Sequence, residues 1–151
     1  MNITSILASK GARVFTTRPE HSIRQALALL AEHNVGALVV VDEAARPVGI
    51  LSERDIVREA ASDEGVFSRA VREIMTRDVI VGLPQDDLMT VSHTMTENRI
   101  RHLPIVENDR LLGIVSIGDI VKAQRDKYQG EVDTLQAQIL AGTPEQAERK
   151  V

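Results

Sequence analysis

The chain repeats itself. Gly49-Ile50-Leu51-Ser52-Glu53-Arg54-Asp55 returns as Gly113-Ile114-Val115-Ser116-Ile117-Gly118-Asp119, and both stretches continue into Ile-Val, at Ile56-Val57 and Ile120-Val121. Ser52 and Ser116 stand 64 positions apart, as do Asp55 and Asp119. Further upstream Pro19, Ile23, Ala26, Leu30, Val35, Leu38 and Asp42 match Pro84, Leu88, Val91, Met95, Ile100, Leu103 and Glu107 at a spacing of 65, so the turn before Gly113 is one residue shorter than the turn before Gly49. Self-similarity at a fixed period has to be read before any single element, because each copy is one supersecondary unit. Two copies are too few for a solenoid. They imply a pair of units related by a pseudo-twofold axis.

Each Gly-x-x-Ser-x-x-Asp stretch runs from an apolar strand into an amphipathic helix, with the Ser at the N-cap and the Asp three residues on. A single such match reads as a capping box and needs no ligand. Two in register within a longer repeat are a stronger signal.

A chain of 151 residues suits one compact domain or two small halves sharing a core. Its 43% hydrophobic content is almost wholly aliphatic, the aromatics being Phe15, Phe67 and Tyr128. The absence of Cys excludes disulfides, iron–sulfur clusters and thiolate zinc sites. A net charge of -4 supplies no global basic field for nucleic acid. No apolar run reaches membrane-spanning length and no signal peptide opens the chain, which predicts a soluble cytoplasmic protein.

Taken in order, Ile3, Ile6 and Leu7 form a weakly amphipathic turn before Gly11, and Val14 to Thr17 reads as a short strand ended by Pro19. Ser22 caps a helix with the stripe Ile23, Ala26, Leu27, Leu30, closed by Asn34. Gly36 to Val41 and Val48 to Leu51 are strands, and Ser52 opens a helix through about Ala61, giving β-α-β-β-α. After a polar connector at Ser62 to Ser68 and a short helix at Arg69 to Met75, the second copy repeats the order. It has a lead-in strand at Asp78 to Val81, a helix from Leu88 capped by Asp86-Asp87, and strands at Leu103 to Val106 and Leu111 to Val115. The closing helix carries Val121, Tyr128, Val132, Leu135 and Ile139 as an a/d-type seam interrupted by Arg125, and Gly142 and Pro144 are expected to stop it before a frayed tail. The predicted division is residues 1–64 for the first unit with its N-terminal lead-in segment, 65–125 for the second, and 126–151 for the C-terminal helix and tail.

Two such units, with Arg101-His102-Leu103-Pro104 leading into a central strand, resemble a tandem pair of cystathionine-β-synthase (CBS) domains, the Bateman module, of the stand-alone bacterial type. The resemblance spans residues 1 to about 125. It implies an α/β (α+β) fold of two pseudo-twofold-related units packed through their sheets, plus the long C-terminal helix. It also implies binding of an adenine nucleotide such as AMP, ATP, NAD or S-adenosylmethionine in two clefts, with no cofactor required. By resemblance the motif Asp accepts from the ribose hydroxyls, and the motif Ser lies near phosphate at a helix N-terminus. One cleft then pairs Ser116 and Asp119 with Gly11, Ala12, Thr16 and Val35, and with Arg101 and His102 as phosphate partners. The other pairs Ser52 and Asp55 with Thr76, Asp78, Val79 and Ile100. The first copy has Gly36-Ala37 where the second has Arg101-His102, so the Asp55 cleft lacks those donors unless Arg54 substitutes, and the Asp119 cleft is expected to hold phosphate more strongly. The family's habit of pairing modules into flat discs adds a homodimer to the expectations.

The remaining features read as surface. His21, His33 and His93 lack metal-ligand spacing, and Arg69, Arg72, Glu73, Arg77 and Asp78 mix both signs. No nucleophile with a base at readable spacing, phosphate-cradling glycine loop or metal cluster supports an enzyme. A nucleotide-sensing regulatory module therefore competes with an interaction scaffold whose motifs only cap helices, and the regulated partner is not legible.

Overall fold

A computed structural model describes residues 1–11 and 14–150, the last eight of these (143–150) by their backbone alone. The elements run α1 (Ile3–Lys10), β1 (Thr16–Thr17), α2 (Ile23–His33), β2 (Ala37–Val41), β3 (Pro47–Ser52), α3 (Glu53–Ala60), α4 (Val71–Ile74), α5 (Leu88–Asn98), β4 (His102–Glu107), β5 (Arg110–Ser116) and α6 (Ile117–Lys150).

The local signals act as their chemistry dictates. Ser22 and Gln25 close a reciprocal capping box at the start of α2, with Gln25 N–H donating to Ser22 Oγ at 3.1 Å and Ser22 N–H to Gln25 Oε1 at 2.8 Å. Asp87 caps α5 by accepting from Thr90 N–H at 2.7 Å. Both helices end on a left-handed residue, Asn34 in α2 and Arg99 in α5. Their stripes, Ile23, Ala26, Leu30 and Leu88, Val91, Met95, are buried.

β2 is buried along its whole length, between β1, which runs parallel to it, and the antiparallel β3. β4 and β5 pair antiparallel in the second unit. The lead-in strand expected at Asp78 to Val81 is not formed. A parallel bridge between Gly82 and Ile105 stands where Thr17 meets Val40 in the first unit, and Thr76 bridges to Ile50. The segment between them crosses from one unit to the other, so its backbone cannot stay in one ladder. Gly82 permits the close approach, because a Cβ there would lie 2.9 Å from Leu103 Cδ2.

Where the sequence predicts one compact domain or two halves sharing a core, the buried apolar side chains form two clusters. Ile23, Leu30, Leu38, Val40, Leu51 and Ile56 centre one, and Met95, Leu103, Ile105, Val115 and Ile120 the other. What ties them together is exchange. α1 places Ile3, Ile6 and Leu7 in the second unit's cluster, while α4 places Val71 and Ile74 in the first unit's. Ile3 is fully buried there, a contribution of about 1.5–3 kcal/mol for a side chain of its size. Backbone bonds fix both crossings: Ile3 N–H to Asp86 C=O at 3.0 Å, Val71 N–H to His21 C=O at 2.8 Å, and a reciprocal pair between Thr76 and Ile50 at 2.9 and 3.0 Å.

α6 departs from expectation at its far end, where the helix runs through Gly142 and Pro144 to Lys150. Gly142 does not take the positive φ of a helix-ending glycine, so the stop expected there is not made. Among the described residues only the first turns of α6 are packed, through Ile120 and Ala123; Val121, Tyr128, Val132 and Leu135 are exposed. Among the described residues, no helix is long and apolar enough to cross a membrane.

Candidate functional site

The two motif helices begin alike. Ser52 N–H donates to Asp55 Oδ2 at 2.9 Å and Asp55 N–H to Ser52 Oγ at 3.2 Å; the equivalents in the second unit are 2.8 and 3.1 Å. Each Asp is therefore a helix cap. Capping uses Oδ2 of Asp55 and leaves Oδ1 available. Beyond this shared geometry the two surroundings diverge.

A cleft of about 580 Å³ opens beside Asp55, lined by Gly36, Ile50, Ser52, Glu53, Arg54, Val57, Arg58, Thr76, Arg99, Ile100, Arg101 and His102 as well as Asp55 itself. That volume lies within the range of small-molecule sites. Four arginines and two carboxylates line it, and among the described residues none of the Arg54, Arg58, Arg99 and Arg101 side chains has an ion-pair or hydrogen-bond partner. In a chain of net charge -4 this is a local concentration of unsatisfied cation.

Beside Asp119 lies an open pocket of about 120 Å³, lined by Met1, Ser5, Ile6, Ser9 and Lys10 from the N-terminal end and by Lys122, Ala123 and Asp126 on α6. Lys10 Nζ donates to Asp119 Oδ2 at 2.6 Å and to the Ile114 carbonyl at 2.9 Å. Burial acts to raise the pKa of Asp119, but the hydrogen bond from Lys10 and those from Ser116, helped by the ammonium charge, hold it below the usual carboxylate value.

The expected grouping therefore needs correction. Arg101 and His102 line the cleft of Ser52, Arg54, Asp55, Thr76 and Ile100, not a separate cleft with Ser116 and Asp119. The physical reason is position: His102 opens β4, and its ring reaches across the pseudo-twofold to Gly36, where a Cβ would make only ordinary van der Waals contact with it at 3.5 Å. Burial, with the charge of Lys10 next, lowers the pKa of His102, and Asp119 and Glu53 oppose this only in part. A neutral ring offers a ligand one donor and one acceptor. The arginines stand on the Asp55 side, while Lys10 and Lys122 stand beside Asp119.

Of the other candidates, Thr16 is exposed on β1 and Val35 packs against the first core, and neither lines the Asp55 cleft. Asp78 is exposed and Val79 half-buried outside that cleft, and Gly11, with φ 86°, ends α1. Ala12 lies outside the described residues. Arg58, Arg99, Glu53 and Lys10 are the additions. Arg58 stands four residues after Arg54, a helical spacing that places both on one face. Arg99 and Lys10 carry no such local signal, because each reaches its neighbours only through the fold. Among the described residues no group of His, Asp and Glu is placed to hold a metal ion.

Two α+β units that exchange their lead-in helices, with a cleft of ligand size where the units meet, define a tandem pseudo-twofold module. Comparison with known proteins makes the assignment specific. The CBS domain family model matches twice, at residues 7–62 and 71–126. A CBS-domain containing protein from Agrobacterium tumefaciens has a similar structure (TM-score 0.79, 37% identity) covering 82% of this chain and 99% of its own. The CBS domain pair of protein MJ0100, solved in complex with 5'-methylthioadenosine and S-adenosyl-L-methionine, aligns with a TM-score of 0.76 at 30% identity, over 84% of this chain and 98% of its own. The mitochondrial CBS domain-containing protein CBSX3 of Arabidopsis thaliana is 33% identical over 149 residues, 93% of this chain and 72% of that protein. The chain belongs to the CBS-domain family and holds two copies of the domain.

Proposed function

We propose that the chain is a non-catalytic regulatory module whose Asp55 cleft binds a phosphate-bearing adenine nucleotide, such as ATP, AMP or NAD, and passes the resulting change of shape to a partner protein. The observation that carries this reading is the Asp55 cleft itself: a capped carboxylate with one oxygen free, beside four arginines that have no ion-pair partner among the described residues. Vicinal ribose hydroxyls supply two donors to the carboxylate, and phosphate supplies acceptors that guanidinium matches in geometry. The adenosyl ligands of MJ0100, a neighbour at 30% identity, support the nucleoside part. The exposed α6 seam supports assembly as a homodimer.

A scaffold reading has one observation in its favour, namely that both motif Asps already act as helix caps. The two readings differ in a calorimetric titration with ATP alongside melting curves. A ligand present at 100 times its Kd stabilises the native state by about 2.7 kcal/mol, a rise in Tm of roughly 5–10 °C for a chain of this size. Asp55→Ala is expected to lower affinity about tenfold to a hundredfold, beyond the roughly 0.5–2 kcal/mol of stability lost with the cap. Equal affinity for wild type and Asp55→Ala, with only the melting temperature lowered, would leave the helix cap as the whole role of the motif.

A further inference from the structure

The pseudo-twofold fails at one position. Thr76 in the second copy corresponds to Gly11 in the first, and Met75 to Lys10. In one unit the Ile50 carbonyl accepts from the Thr76 backbone N–H at 2.9 Å, and Met75 packs over Gly49. In the other, α1 ends at Gly11, whose φ of 86° suits glycine. Among the described residues no backbone bridge joins that segment to β5. The Ile114 carbonyl, counterpart of Ile50, is bonded by the Lys10 ammonium instead, and the same ammonium sits on Asp119. The two side chains are only 30% and 22% exposed, so solvent screens the pair less than a fully exposed one.

This contact has a consequence for ligand binding. The motif carboxylate needs to offer its charge to two incoming hydroxyls, and Asp119 already gives that charge to an internal ammonium. The free space that Lys10 and Asp119 line is roughly 120 Å³, below the ~300 Å³ at which small-molecule sites begin. Among the described residues no cation sits on the Asp55 carboxylate, and an open cleft lies beside it. We propose that Lys10 is the residue that selects between the two clefts: its ammonium occupies the Asp119 position as an internal stand-in for the ligand, so that each chain takes a single nucleotide, at Asp55. The inference rests on the nucleotide-binding reading above and adds to it the number and place of the bound molecules.

The test is calorimetric stoichiometry with ATP as the probe, with AMP in a parallel series. Wild type is expected to bind one molecule per chain, and Asp119→Ala to leave that event unchanged. Lys10→Met, which copies Met75 and keeps a good helix former at the end of α1, is expected to add a second event, giving two per chain. That added event should vanish in the double variant Lys10→Met/Asp119→Ala. Lys10→Ala serves in the same comparison if Lys10→Met melts early. Two molecules per wild-type chain, or no second event in either Lys10 variant, overturns the selection by Lys10 while leaving nucleotide binding intact. No binding by any variant overturns both readings together.

Discussion

Arg99 holds a backbone conformation that its side chain does not favour. It closes α5 with φ 54°, and its counterpart Asn34 closes α2 with φ 52°. Asparagine tolerates the left-handed region, whereas an ordinary residue loses roughly 1–2 kcal/mol there. Strain of this kind persists where the surroundings over-determine it, often at ligand sites, and Arg99 carries its guanidinium to the Asp55 cleft. Arg99→Asn is therefore expected to stabilise the fold by about 0.5–1 kcal/mol and to weaken ATP binding roughly three- to tenfold, as fits loss of one solvent-exposed charge contact. Melting curves and titrations on the same preparation check both signs; a variant that melts lower, or that binds unchanged, would separate the strain from the site. At this scale the sequence was legible in part. The motif Ser and Asp residues and the pair Arg101-His102 stand out in one dimension. Which cleft receives the pair depends on where the start of β4 meets the first unit at Gly36, and no periodicity records that.

Among the elements, the exchange of α1 and α4 makes one module of two units with separate cores. Two glycines admit the crossing elements, but they are not equally replaceable. A Cβ on Gly113 would stand 2.9 Å from Leu7 Cδ2, a methyl that can turn away. A Cβ on Gly49 would stand 2.5 Å from Met75 Sδ and also 3.1 Å from the Thr76 carbonyl, which is held by the Ile50 N–H. The thioether can move; the carbonyl cannot move without breaking the bridge. Gly49→Ala is expected to cost about 1–3 kcal/mol, and Gly113→Ala clearly less, as read from denaturant midpoints at unchanged m-value. The reverse order would contradict the crossing as described. The helices, their caps and the β-hairpins of each unit were legible because they rest on local chemistry: Ser22 with Gln25, Asp87 with Thr90, and Asn34 in its left-handed turn. The missing lead-in strand and the Lys10–Asp119 pair were not, since both depend on contacts between the units, the latter across 109 positions of sequence.

The molecule as a whole leaves one long element unaccounted for within a single chain. The second family match ends at residue 126, yet α6 continues to Lys150. Beyond the match it exposes Tyr128, Val132 and Leu135 by 57%, 46% and 58%. A solvated helix of that length draws little stability from propensity alone, particularly with Gly130 inside it, and most helices in proteins are held by packing an apolar stripe. The spacing of four and three residues from Tyr128 through Val132 to Leu135 places all three on one side, over about 10 Å of axis. A second copy presents the same stripe, so two α6 helices can cover each other in a symmetric contact. The seam is too short to act alone as a stable coiled coil, and it is expected to work together with module faces in a homodimer. Light scattering on the full chain should then give about twice 16.6 kDa at tens of micromolar, roughly the range in which a modest interface is populated. The double variant Val132→Glu/Leu135→Glu should shift the population to monomer, because four carboxylates would meet at one contact in the dimer. Its ATP affinity should stay within about twofold of wild type, since neither residue lines the Asp55 cleft. A wild-type chain that remains monomeric under those conditions, or a double variant that stays dimeric, would assign the exposed stripe of α6 to some other surface.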